Sequence, residues 1–182
     1  MTANKYNTIK FALLLFIGMF AIVQNISCNS ELVMTAVSVA SLWCFSVSDI
    51  CKRTISALGV YSVIVVLFLM KFYILCRTDI GTVQIFLMES MIVFCVLFAL
   101  SRILRGKIGN GDFDIACIIY LCIGIKGMVW AFIFACMLVL ALNLAKIIRE
   151  HKKLKEYSIP LIPYLYIGYC LVLIIAKEMI FI

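Results

Sequence analysis

The chain has 182 residues, of which 66% are hydrophobic and only 14% charged, and its mean hydropathy is +1.19. That composition excludes a water-soluble globular domain and a disordered segment, and it predicts an all-α, polytopic membrane protein. The formal net charge of +7 would suit a nucleic-acid partner, but the placement of the basic residues points to lipid headgroups instead.

A hydrocarbon core about 30 Å thick takes about 20 apolar residues per helix. Seven apolar stretches meet or approach that length, at residues 9–23, 32–47, 57–75, 83–101, 113–125, 127–145 and 161–180. The second and fifth are short, so six to seven spans are expected within a single integral-membrane domain covering residues 1–182. Lys5 and Lys10 followed by an apolar run could also be read as a signal peptide, although Asn25-Ile26-Ser27 before Cys28 lacks a lipoprotein cleavage pattern. With the N-terminus cytoplasmic, twelve cations fall inside: Lys5, Lys10, Lys52, Arg53, Arg102, Arg105, Lys107, Lys146, Arg149, Lys152, Lys153 and Lys155. Lys71, Arg77, Lys126 and Lys177 fall outside, a distribution that follows the positive-inside rule. The inner clusters are expected to contact anionic membrane lipid.

Nine cysteines are scattered without a Cys-x-x-Cys pair, so they read as small apolar packing residues. Cys28 and Cys76 stand near outer helix ends and could pair in an oxidising compartment. The single histidine, His151, lies in a Lys-rich loop without clustered ligand partners, and no metal or cofactor is expected. Glu89, inside the fourth span, is expected to have a structural partner such as Lys71, Ser90 or Tyr73.

Two polar breaks carry an aspartate each: Ser48-Asp49-Ile50-Cys51-Lys52-Arg53-Thr54-Ile55 and Gly109-Asn110-Gly111-Asp112. Two spans separate them, so both breaks fall on one membrane face, the cytoplasmic one. Taken singly, Asp112 reads as a helix N-cap and Asp49 as a solvated residue neutralised by Lys52 and Arg53. Taken together, two carboxylates on one face can share a proton, one acting as general base for a water and the other as general acid toward a peptide bond. The helix dipole disfavours charge on Asp49, at a helix C-terminus, relative to Asp112, at a helix N-terminus.

In these motifs the chain resembles the type IV prepilin peptidase family of membrane aspartic proteases, which carry Gly-x-Gly-Asp. Gly109, Gly111 and Asp112 match that motif. Asp49, Lys52, Arg53 and Ile55 match the first aspartate with its basic stretch and following Ile, and Ile159, Pro160, Pro163, Tyr164 and Leu165 match a late Ile-Pro-x-x-Pro-aromatic-Leu segment, with Gly168 following. The resemblance runs from about residue 32 to 168 and leaves the first span outside it. It implies catalytic Asp49 and Asp112, and a substrate that is a pilin-like precursor with a basic leader and a hydrophobic helix, cut at the cytoplasmic face of the inner membrane. The few residues before the first span imply a peptidase-only form, without the cysteine-bearing domain of longer members, like enzymes that serve Flp-type pili. Ser56 replaces the family's proline, and Asp114 replaces a basic residue. The alternatives are another intramembrane Gly-x-Gly-Asp protease of the presenilin kind and a non-catalytic membrane-complex subunit or transporter. Oligomeric state is not legible.

Overall fold

A computed structural model of the chain describes residues 11, 13–22, 29–77, 80–104, 109–150 and 160–175, with side chains through residue 142 in the long fifth helix. The described residues are helical, with short connections and no strand. The helices are α1 (Leu13–Ile22), α2 (Asn29–Lys52), α3 (Ala57–Cys76), α4 (Ile80–Ile103), α5 (Asn110–Glu150) and α6 (Ile162–Ile175). Four segments are long and apolar enough to cross a membrane: Glu31–Lys52, Ala57–Cys76, Ile80–Ile103 and Gly111–Leu142; α1 and α6 are shorter apolar helices.

The seven expected spans thus become six helices, because residues 113–125 and 127–145 belong to one run. No loop separates them; Gly124 alone interrupts α5, with φ 71° and ψ −178°, a backbone region essentially reserved for glycine. The chain bends there. Tyr169 of α6 meets the Cys122 thiol before the break, while its neighbour Gly168 sits against the backbone of Ala131 and Ala135 beyond it. On a straight helix Cys122 and Ala135 would stand about 20 Å apart, at 1.5 Å per residue.

The core forms around α6, which packs chiefly on α5 and then on α2. Its Leu165, Tyr166, Tyr169 and Cys170 are all fully buried. A Cβ on Gly168 would collide with the Ala131 carbonyl oxygen and stand 3.2 Å from the Ala135 amide nitrogen. Small residues on both helices therefore let the two backbones touch, the usual device where lipid removes a hydrophobic drive between helices. Buried hydroxyls add directional ties. Ser38 Oγ lies 2.6 Å from Tyr169 Oη, Ser90 Oγ lies 3.1 Å from Tyr120 Oη, and Tyr166 donates to the Leu14 carbonyl at 2.9 Å, which fastens α1.

The outward faces are apolar. On α3 Leu58, Val65 and Leu69 are exposed, and on α4 Ile85, Met88 and Ile92. Stripes of this extent would be unstable against water but suit hydrocarbon. Ser90 bonds to Tyr120 rather than to Glu89, Glu89 lies within electrostatic reach of Tyr120, and Lys71 lies near Cys122. Lys5, Lys10, Asn25, Ile26, Ser27, Cys28, Arg105, Lys107, His151, Lys152, Lys153, Lys155, Ile159 and Lys177, and the side chains of Lys146 and Arg149, lie outside the described residues. The Cys28–Cys76 pairing falls there too.

Candidate active site

The site assembles from three helix ends. The first is the exit from α2. Arg53 adopts the left-handed conformation (φ 51°), and its N–H donates to the Asp49 carbonyl at 3.0 Å. This is the one-bond αL ending of a helix, a position usually held by glycine. Ser48 Oγ then donates to the Thr54 carbonyl at 3.0 Å, holding the segment as it leaves. Ser56 caps α3 with φ −71° and ψ 111°, accepting from the Gly59 N–H. That φ is one proline also adopts, and serine adds a capping hydroxyl to the entry into α3.

The second end is the start of α5. Asp112 is not the N-cap: the helix begins at Asn110, which puts Asp112 in the third helical position. Its N–H donates to the Gly109 carbonyl at 3.1 Å, and its carboxylate accepts from the Gly109 N–H. This reach back from the third position is half of a capping box. A Cβ on Gly109 would stand 3.2 Å from Asp112 Oδ2, and one on Gly111 would stand 3.4 Å from Ile55 Cδ1. The two glycines therefore let the carboxylate fold back and let Ile55 approach.

The third end is the start of α6, where Pro160 and Leu161 lead into Ile162 and Pro163. The Ile162 N–H points at the Asp49 carboxylate, so the late proline segment is built against the first aspartate. The three ends converge: Asp49 and Asp112 lie within electrostatic range of one another, Arg53 lies beside Asp49, and both carboxyls are half-buried. Lys52 is exposed in the last turn of α2, Pro160 is half-buried and Pro163 is buried. Asp114 lies beside Cys117, one turn further along α5.

Two carboxyls close enough to share a proton can hold it between them and activate a water; Asp49 and Asp112 lie within electrostatic range of one another. Among the described residues no group of three or more His, Cys, Asp or Glu side chains could hold a metal ion. Sequence reasoning missed Ile162, because its contribution is a backbone N–H. The signal was nonetheless present in the prolines at 160 and 163, which mark where the helix begins and which donor in its first turn is absent. Comparison with protein-family models, with curated proteins and with solved structures found no match for the chain.

Proposed function

We propose that the protein is a membrane aspartic endopeptidase that removes the basic leader from type IV prepilin-like or Flp-type pilin precursors. One observation carries this reading: Asp49 and Asp112, on helices separated in the chain by α3 and α4, come within electrostatic range of one another. A water held between the carboxyls loses a proton to one of them while its oxygen bonds to the scissile carbonyl carbon. The other carboxyl gives its proton to the carbonyl oxygen. When the resulting diol collapses, the C–N bond breaks, the nitrogen takes the first proton, and the second carboxyl recovers one from the diol. One water is consumed, the pair is restored, and no cofactor is needed.

The substrate would be a precursor whose apolar helix lies in the bilayer beside α3 and α4 and whose leader reaches the carboxyls at the cytoplasmic face of the inner membrane. The test is a cleavage assay in membranes with a pilin-like precursor from the same genome, read by mass spectrometry of the product. Wild type should release the leader, whereas Asp49→Asn and Asp112→Asn should each lower the rate by at least about 10³-fold, as expected when one of a concerted acid/base pair is lost. Normal cleavage by either variant, or none by well-expressed wild type on any such precursor, would favour a non-catalytic membrane subunit.

A further inference from the structure

We infer that Glu89 sets the register of the precursor: it is a docking group on the lipid-facing side of α4 that accepts a hydrogen bond from an amide or cationic side chain partway along the precursor's apolar helix. The inference rests on the peptidase reading and adds a requirement on its substrate.

A carboxyl within a membrane span ordinarily faces the bundle interior or a water-filled cavity, where partners satisfy it. Glu89 stands in the middle third of α4 and is exposed, outside the inward face formed by Phe86, Ser90, Val93 and Leu97. The partners that sequence suggests for it are turned elsewhere. Ser90 Oγ lies 3.1 Å from Tyr120 Oη. The Arg77 guanidinium covers the Tyr73 ring, 4.7 Å from its centroid. Lys71 is half-buried one turn from the fully buried Leu67, and residues four apart share a helix face. Among the described residues no hydrogen bond or ion pair reaches the Glu89 carboxyl.

A donor from a further helix would satisfy it. Ile85, Glu89, Ile92, Val96, Ala99 and Ile103 are all exposed and follow one another at alternating four- and three-residue steps. That spacing is the seam on which one partner helix packs, and a single polar residue in such a seam fixes register. Two copies of the chain meeting about a two-fold axis on this seam would set Glu89 against Glu89. Two carboxylates would then meet with no donor between them, which favours a different helix as the partner. The proposed chemistry already requires one, the precursor helix rising from the carboxyl pair. The seam descends to that pair. Ser90 and Phe94 of α4 both meet Tyr120 of α5, and Asp112 precedes Tyr120 by eight residues on the following, antiparallel helix. Asp112 is therefore level with residues 98–102 of α4. Glu89 stands about 9–13 residues above it, or about 14–20 Å at 1.5 Å per residue, and a donor that far beyond the scissile bond would meet it.

The test uses the full chain in nanodiscs, with photoreactive benzoylphenylalanine in place of Met88, which is exposed beside the seam. The probes are synthetic peptides with a basic leader and a leucine-rich helix, carrying one Gln that is moved along the helix a position at a time. Photo-adducts are counted by mass spectrometry. Capture should peak when the Gln lies about 9–13 residues beyond the leader, at about 3- to 30-fold above the all-leucine peptide, the span expected of one hydrogen bond between helices in lipid. Glu89→Leu should unfold at the same or a higher temperature yet flatten the scan, while Glu89→Gln, which keeps an acceptor, should retain the peak. A flat scan in the otherwise wild-type chain, a peak that survives Glu89→Leu, or adducts chiefly between two copies of the chain would overturn the inference. Leader removal from a natural precursor, measured alongside, separates the two claims. A peak without leader removal would sink the peptidase reading and leave the docking group standing; leader removal with a flat scan would do the reverse.

Discussion

Gly168→Ala is the sharpest probe of how the bundle holds its site. The added Cβ would strike the Ala131 carbonyl oxygen and stand 3.2 Å from the Ala135 nitrogen and 3.3 Å from the Ala131 carbonyl carbon. All three obstacles are backbone atoms locked in α5, so no side chain can swing aside and the helices must part. Overpacking of this kind costs about 1–3 kcal/mol, or about 5- to 150-fold in the balance between packed and loosened bundle. Loosening α6 also withdraws the Ile162 N–H from Asp49, so activity should fall together with stability. The assay is thermal unfolding in detergent, paired with the rate at which a maleimide reaches Cys170, which is fully buried on α6. Gly59→Ala is the control: its Cβ would meet nothing closer than 3.6 Å, so it should be neutral or stabilising by up to about 1 kcal/mol. The reasoning would be refuted if Gly168→Ala matched wild type both in unfolding temperature and in protection of Cys170.

Gly124→Ala separates conformation from contact, since a Cβ there would meet nothing within 4 Å; its whole cost, about 1–3 kcal/mol, comes from the backbone region. Asparagine, which tolerates the left-handed helical region but not this one, should give no relief, and an unchanged melting temperature in either variant would sink the argument. Ser56→Pro should be nearly silent, because losing a cap costs about 0.5–2 kcal/mol while stiffening the unfolded chain returns about 0.4–1 kcal/mol. A melting temperature more than several degrees lower would show that Ser56 holds more than Gly59.

Hydropathy made the helices legible because long apolar runs have few alternatives in lipid, and the all-α architecture emerges as that pattern implies. The count of crossings was less legible. The segment Gly124-Ile125-Lys126-Gly127 reads as a turn by composition, yet a single glycine makes the break without leaving the helical run. The aspartates were legible because charged breaks in an apolar chain stand out. Two spans between them put them on one face, and the structure brings them within electrostatic range. What surrounds Asp49 was not legible. A donor from the backbone of Ile162 leaves no mark in side-chain identity, and the left-handed turn at Arg53 runs against the preference for glycine. Asp114, two residues after Asp112, turns to Cys117 because residues two apart on a helix point about 200° apart, to nearly opposite sides.

The reach of α6 across the chain also governs when the protein becomes competent. The hydroxyl of Tyr166 closes on the carbonyl of Leu14, 152 residues earlier, and the same helix delivers the donor to Asp49. At a synthesis rate of about 5–20 residues per second, some 8–30 s separate the emergence of these two ends. Throughout that interval α1 has no Tyr166 to anchor it and the carboxylate pair lacks its α6 donor. The nascent protein therefore passes through a window in which its earlier helices exist but the ties supplied by α6 do not. On the proposed peptidase reading, a newly made molecule would cut no neighbouring precursor before its own last helix is in place.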